Sequence, residues 1–218
     1  MGIGAGGHAR VLLEIVLLRG EFEIVGLLDE DASRHNREVS GVRILGGDEL
    51  LKQLFSDGLS TAFLGVGGVG DNRPRARVFE RVRSIGFRFV NLIHPAAVVA
   101  KSVVMGEGVV LMAGAIVNSG ARLGENVIIN TGAVVDHDAI IGDHVHIAPG
   151  AVLSGGVEVC SYSHIGTGAS IRQNVRIGPE ALVGVGAAVI GDVGQGETVA
   201  GVPARVLEPR RKTNVPHL

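Results

Sequence analysis

The sequence predicts an α/β plus β protein in which a small Rossmann-like N-terminal domain precedes a parallel β-helix. Three observations support this prediction. An apolar residue recurs at every sixth position from 97 to 192, a glycine-rich turn near the start opens an alternation of helix and strand patterns, and aromatic residues make up only 3% of the chain against 34 glycines. We expect the N-terminal domain to span residues 1–93 and the β-helix, with a C-terminal cap, residues 94–218.

The first element is a glycine-rich turn, Gly4-Ala5-Gly6-Gly7-His8-Ala9, in which Ala9 stands where a third glycine can be replaced. A short strand over residues 1–3 precedes the turn, and a helix over residues 11–18 follows it. Further patterns predict strands over 23–28, 61–66 and 87–92 and, between the last two, a helix with a charged face formed by Arg75, Arg77, Glu80 and Arg81.

This N-terminal pattern indicates a nucleotide site. Glycines at the carboxyl ends of successive parallel strands line the crevice in which such sheets hold nucleotides. Asp29 ends the second strand, twenty residues beyond Ala9, a distance typical of a carboxylate that reaches a ribose hydroxyl. The domain is too small for two mononucleotide halves, which argues against a dinucleotide. The alternative is that the glycines only make tight turns.

Residues 97–192 repeat with a period of six. Position three of every repeat is Val, Met, Leu or Ile, position one is Ala or Val except at Ser163, and position six is often Gly. Neither a helix nor an alternating strand has this period, and such short repeats are typical of a β-helix. If three repeats make one triangular coil, residues eighteen apart stack at ~4.8 Å. A polar tail over 208–218 follows as the cap or a frayed end.

Composition excludes several classes of function. The net charge of −2 and the pI near 6.4 give no electrostatic footprint for nucleic acid. No apolar run approaches the ~20 residues of a membrane span, and the start has no signal-peptide pattern. The single cysteine, Cys160, has no partner for an internal disulfide. Together these features predict a cytoplasmic protein.

The strongest candidate for chemistry is His137, which lies between Asp136 and Asp138. A carboxylate beside a histidine tunes its tautomer and basicity, as a general base near pH 7 requires. Adding eighteen to 137 gives Gly155, so a backbone without a side chain stacks against His137, where an N–H could face an oxyanion.

Other histidines are also present in the repeat. His146 and His164 are eighteen residues apart and should stack on one face, whereas His144 has the position of a surface corner residue. Zinc-binding β-helix enzymes use two histidines five residues apart. Because Gly142 follows His137 and Ala151 follows His146 at that spacing, no metal is expected.

With both halves considered, the chain resembles the bacterial sugar-nucleotide acyltransferases that join a nucleotide-binding domain to a left-handed hexapeptide β-helix. That family includes amino-sugar N-acetyltransferases of the bacillosamine and perosamine pathways and sialic acid O-acetyltransferases. The resemblance covers nearly the whole chain. Its markers are Gly4-Ala5-Gly6-Gly7-His8, Leu27-Leu28-Asp29, Ile93-His94-Pro95, Asn130-Thr131, His146-Ile147-Ala148-Pro149-Gly150 and Gly201-Val202-Pro203-Ala204.

The resemblance implies a role for particular residues. His137 would be the catalytic base, Asp138 its acidic partner, and Gly155 the residue whose N–H contacts the thioester of acetyl-CoA. For acetyl-CoA, it implies contacts near the acetyl group and along the pantetheine from His146, Thr167 and Val185. For the nucleotide sugar, it implies contacts at the uridine-diphosphate end from Gly6, Gly7, His8, Asp29 and Glu30.

Family members are homotrimers with active sites between neighbouring β-helices. Threefold closure would hide apolar side chains on the flat faces, such as Val104, Val110, Ile116 and Ile128. The predicted reaction is direct acetyl transfer from acetyl-CoA to the amino group of a nucleotide-linked sugar. The alternatives are O-acetylation of a sugar hydroxyl, acetylation of an amino acid, and a non-catalytic trimer that binds a nucleotide sugar.

Overall fold

The computed structural model describes residues 1–208. The predicted cap, residues 208–218, therefore lies outside the described residues except for Glu208. The N-terminal part is a six-stranded sheet with three helices, and the rest is a three-sided parallel β-helix. This is the predicted fold class.

The N-terminal sheet has the strand order β3-β4-β2-β1-β5-β6 and is parallel except for the β3–β4 hairpin. The short first strand is central rather than at an edge, because Gly2 pairs with both Leu27 and Phe63. The elements are β1 (Gly2–Ile3), α1 (Gly7–Arg19), β2 (Leu27–Leu28), β3 (Glu38–Val39), β4 (Val42–Gly46), α2 (Leu51–Ser56), β5 (Thr61–Leu64), α3 (Arg73–Ile85) and β6 (Arg88–Phe89).

Several predicted bounds differ from the structure. Helix α1 begins four residues earlier than predicted, at Gly7, because the glycine-rich turn itself forms its first turn. The strand predicted over 23–28 is only Leu27–Leu28. The strand predicted over 87–92 is two strands, β6 and β7 (Leu92–Ile93), which belong to different sheets. The sequence reading missed the hairpin β3–β4 and helix α2.

The β-helix consists of two-residue strands that occur every six residues on three faces. Face 1 holds β7, β10 (Val110–Leu111), β13 (Ile128–Ile129), β16 (His146–Ile147), β19 (His164–Ile165), β22 (Leu182–Val183), β24 (Thr198–Ala200) and the antiparallel β25 (Arg205–Val206). Face 2 holds β8 (Val98–Val99), β11 (Ile116–Val117), β14 (Val134–Val135), β17 (Val152–Leu153), β20 (Ser170–Ile171) and β23 (Ala188–Val189). Face 3 holds β9 (Val104–Met105), β12 (Arg122–Leu123), β15 (Ile140–Ile141), β18 (Glu158–Val159) and β21 (Arg176–Ile177).

The predicted register of eighteen residues is confirmed, since Val110 pairs with Ile128 and His146 with His164. Side chains at positions one and three of the repeat fill the interior of the column. The backbone φ is positive at position six of every repeat from Gly108 to Gly186, which explains the frequent glycine there. After β23 the coil shortens to sixteen residues, because Leu182 pairs with Thr198.

The N-terminal domain packs on face 1. Val110 and Ile128 are buried there against Leu12 and Leu13 of α1. The expectation that threefold closure hides Val110 and Ile128 is therefore wrong, because the chain covers them itself. On face 2, by contrast, Val98 and Val152 remain exposed.

Candidate active site

His137 lies at the corner between faces 2 and 3. Its side chain is 60% exposed, and its Nδ1–H donates a 2.9 Å hydrogen bond to Asp138 Oδ2. A carboxylate only accepts hydrogen bonds, so this contact places the proton of the neutral ring on Nδ1 and leaves the Nε2 lone pair free. The geometry therefore prepares Nε2 to take a proton from a substrate.

The surrounding charges favour the protonated ring. The pKa of His137 is raised from its ordinary value, first by the hydrogen bond to Asp138 and then by the nearby charge of Asp136. Asp136 is itself held in place, because its Oδ1 accepts hydrogen bonds from Asn118 Nδ2 (2.8 Å) and from the His137 N–H (2.7 Å). Asn118 was missed by sequence reasoning, although its position eighteen residues before Asp136 is a usable signal.

The stacking predicted from the repeat places Gly155 directly against the imidazole. A Cβ at Gly155 would overlap the His137 ring, whereas a Cβ at Gly191, two coils further along the same corner, would meet open space. The residue at 155 must therefore be small for His137 to keep its place. The Gly155 N–H donates no hydrogen bond within residues 1–208.

Asp138 occupies a strained backbone position, with a φ of 58° at position six of its repeat. A glycine would adopt this conformation without cost. The Asp138 side chain also needs space on the preceding coil, since a Cβ at Gly120 would overlap Asp138 Oδ1. Five other repeats also place a residue other than glycine in this conformation, and Asp138 is the one whose side chain contacts His137.

The two residues predicted to contact pantetheine lie at a different corner. Thr167 and Val185 are exposed at the corner between faces 1 and 2, one edge of the prism away from His137. His146 is on face 1 and is buried, with 7% exposure. Of the residues predicted for catalysis and acetyl-CoA binding, all of which lie within residues 1–208, one chain brings together only His137, Asp138 and Gly155.

A second candidate region is a crevice of about 470 Å³ in the N-terminal domain. It lies between the first glycine-rich turn, Gly4 to His8, and a second glycine-containing segment, Gly65 to Val69, with Asp29 at its edge. Gly6 and Gly7 have no heavy atom close to where a Cβ would be, so their backbone is open to a ligand.

The predicted polar residues of this crevice have distinct environments. Asp29 Oδ2 accepts a 2.7 Å hydrogen bond from the Ala5 N–H and so fixes the first turn. Glu30, by contrast, does not line this crevice: it is exposed and pairs with Arg81 on α3. His8 is half-buried, and desolvation, followed by the charge of Arg75, lowers its pKa to about 3.

Arg75 belongs to the predicted charged face of α3 but does not lie at the surface. It is 2% exposed, and its Nη1 donates to the carbonyl oxygens of Leu64 and Val66. The reason is that α3 has two covered sides, one against the sheet and one against the β-helix, which amphipathic patterning alone does not reveal.

Two findings concern other kinds of site. Within residues 1–208, no three His, Cys, Asp or Glu side chains are grouped as a metal ion would require. The same residues form no helix with the length and apolarity needed to cross a membrane.

Comparisons with known proteins agree with this architecture. Residues 3–82 match the family described as PglD N-terminal domain, and residues 120–155 match the bacterial transferase hexapeptide family of six repeats. PerB from Caulobacter crescentus, solved with CoA and GDP-perosamine, is 40% identical with a TM-score of 0.88, and the alignment covers 95% of this chain and 96% of that one.

Two further relatives are similar. The acetyltransferase domain of PglB from Neisseria gonorrhoeae FA1090, solved with acetyl coenzyme A, is 40% identical with a TM-score of 0.86, and the alignment covers 94% of this chain and 97% of that one. UDP-N-acetylbacillosamine N-acetyltransferase from Bacillus subtilis (strain 168) is 38% identical over 121 residues, which is 51% of this chain and 50% of that protein. The match thus spans about half the length of this curated relative.

Identity of 40% over nearly the full length of PerB, together with the two family matches, is decisive for the relationship. The chain belongs to the family of sugar N-acetyltransferases that join a PglD N-terminal domain to a hexapeptide-repeat β-helix.

Proposed function

We propose that this protein transfers the acetyl group of acetyl-CoA to the amino group of a nucleotide-linked amino sugar. The observation that carries the proposal is the exposed His137, with its Nε2 lone pair free and Asp138 on Nδ1, on the same chain as a glycine-lined crevice. Relatives of the same architecture were solved with CoA and GDP-perosamine or with acetyl coenzyme A.

In the proposed reaction, the sugar amine attacks the thioester carbonyl carbon directly. The C–N bond forms, His137 Nε2 takes the proton of the amine, and the C–S bond breaks so that coenzyme A leaves as its thiol after gaining a proton. A positioned base contributes ~10²–10⁴-fold. The Gly155 N–H, which is unused within residues 1–208, would donate to the oxyanion and add ~10²-fold or more.

The nucleotide sugar would lie in the N-terminal crevice. The backbone of Gly6 and Gly7 at the start of α1 is open to a diphosphate, and a helix N-terminus favours negative charge. His8, Asp29 and Glu30 complete the predicted set. Holding both substrates in register supplies much of the remaining rate enhancement.

We further propose that the protein acts as a homotrimer. His137 and the pantetheine residues Thr167 and Val185 lie on different edges of one prism, so a complete site needs a neighbouring copy. Face 2, with Val98 and Val152 exposed, offers an apolar surface for that contact. The thiol of Cys160, which forms no disulfide within residues 1–208, suits a cytoplasmic protein.

The test is to offer the purified protein acetyl-CoA with UDP-, GDP- and dTDP-linked amino sugars and with a sialic acid hydroxyl acceptor, while free thiol is followed. We expect thiol release and an N-acetylated product with at least one amino sugar. Transfer to the hydroxyl acceptor alone would favour O-acetylation, and absence of any transfer or acetyl-CoA binding would overturn the enzyme assignment.

A further inference from the structure

The segment from Gly65 to Asn72, here called the crevice loop, joins β5 to α3. One side of it lines the N-terminal crevice, through Gly65 to Val69. Its other side contacts the β-helix at face 1, through hydrogen bonds of Gly68 and Asn72. The wall of the nucleotide crevice is thus in direct contact with the acyltransferase column.

Three side chains anchor the crevice loop. At its start, Arg75 Nη1 donates to the carbonyl of Val66 and to that of Leu64, the last residue of β5. At its end, Asn72 Nδ2 donates a 2.9 Å hydrogen bond to the Ser163 carbonyl. In the middle, His146 Nδ1 lies 2.7 Å from the Gly68 carbonyl oxygen. The His146 contact thus joins the β-helix to Gly68, a residue of the loop that lines the crevice.

The partners of His146 define its tautomer. The Gly68 carbonyl can only accept, so Nδ1 carries the proton and donates. Nε2 then accepts a 3.0 Å hydrogen bond from Asn130 Nδ2, while Asn130 Oδ1 accepts from the Thr131 N–H at 2.8 Å. Both ring nitrogens are therefore occupied inside the chain, which leaves neither for an acetyl group.

The environment keeps this ring neutral. Burial, followed by the charge of His164, lowers the pKa of His146 to about 4. A proton on Nε2 would remove the acceptor for Asn130, so the neutral ring is the form that matches both contacts. This state agrees with the geometry of the two hydrogen bonds.

We propose that His146 is a positioning residue for the nucleotide-sugar site: it holds the Gly68 carbonyl and thereby fixes the wall of the crevice. This inference rests on the proposed function and differs from the acetyl contact that the resemblance implies. The crevice loop needs such an anchor, because it contains four glycines among its eight residues and glycine-rich backbone is conformationally free.

The matched variants separate the two hydrogen bonds. His146→Asn keeps a donor at the place of Nδ1 and loses the contact with Asn130, whereas His146→Gln keeps a polar group at the place of Nε2 and loses the contact with Gly68. His146→Leu loses both. His164→Leu is the control, since His164 is equally buried one coil away and makes no hydrogen bond to the loop within residues 1–208.

The measurement is the Kd of the full-length protein for UDP, GDP and coenzyme A, each determined separately by calorimetry. We expect His146→Gln and His146→Leu to weaken the nucleotide that the wild type prefers by about tenfold, the typical effect of one lost buried hydrogen bond. His146→Asn should recover most of this loss. The affinity for coenzyme A should stay within about twofold of the wild-type value in all variants. His164→Leu should keep both its nucleotide affinity and its coenzyme A affinity within the same range.

Steady-state kinetics with a sugar nucleotide should show the same split, with the loss in its KM rather than in kcat or in the KM of acetyl-CoA. Unchanged nucleotide affinity in His146→Gln, or a loss confined to coenzyme A, would overturn the positioning role while acetyl transfer by the wild type remained. A wild type that bound no nucleotide would overturn this inference and the proposed acceptor together. If His146→Leu fails to fold, the comparison of Asn with Gln decides.

Discussion

His137 and His146 are nine residues apart on the same β-helix, yet the structure gives them opposite properties. His137 is at a corner, 60% exposed and flanked by carboxylates, and its pKa is raised. His146 is on a face beneath the N-terminal domain, beside His164 and near Arg75, and its pKa is lowered to about 4. Cover by the N-terminal domain, rather than the residue type, thus decides which imidazole can exchange a proton with a substrate.

The largest expected effect is on turnover. Replacing His137 with alanine should lower kcat by ~10²–10⁴-fold, because the amine loses its base. The Kd values for nucleotide and coenzyme A should change little. Lys101→Ala is the control, since Lys101 has the same position in the repeat at the same corner, two coils earlier. Wild-type turnover in the His137 variant would contradict its role as the base and with it the proposed functional difference between His137 and His146.

A smaller effect concerns pH. The base works only when neutral, so activity should be present above the raised pKa of His137 and lost as the pH falls through it. Asp138→Asn removes the leading cause of that shift, so the acid limb of kcat/KM should move to lower pH. Because surface charges are screened, the movement should shrink at high salt.

His146 does not contribute to this pH profile of kcat/KM. Its pKa of about 4 means that it stays neutral throughout the range in which His137 titrates. An acid limb that did not move in Asp138→Asn would assign the limb to another group and contradict the pairing of Asp138 with His137.

The smallest effect is on stability. Asp138 and Asn174 have φ values of 58° and 57° at the same corner, two coils apart. Changing either to glycine should stabilise the fold by about 0.5–1 kcal/mol by relieving the left-handed conformation, which corresponds to ~1–4 °C in Tm. Only Asp138→Gly should lose activity. Equal activity in both variants would show that the strain at Asp138 has no catalytic purpose.

The repeat made the β-helix predictable in detail. Because its period of six is uninterrupted, adding eighteen to a residue number gave the neighbour on the next coil, and this placed Gly155 against His137. The same arithmetic relates Asn118 to Asp136. Contacts within the column follow from register alone.

Contacts between the two halves could not be predicted in this way. The hydrogen bond from His146 to the Gly68 carbonyl joins residues 78 apart in sequence, and no periodicity relates them. Arg75 looked like a surface residue because the pattern of α3 shows one apolar side and cannot show that the β-helix covers another. The N-terminal strands are only two to five residues long, too short for alternation to define their ends.

The coil length is constant as far as β23, and this has one more consequence. Up to that point each turn of the column uses eighteen residues and advances by ~4.8 Å, so positions along the prism change in fixed steps. Duplicating one whole coil would lengthen the column by one coil spacing and leave every side chain pointing in its original direction. One extra residue within a strand would instead exchange the interior and exterior positions of the side chains that follow it. The length of β-helix edge along which the proposed donor, acetyl-CoA, could lie can therefore change only by whole coils.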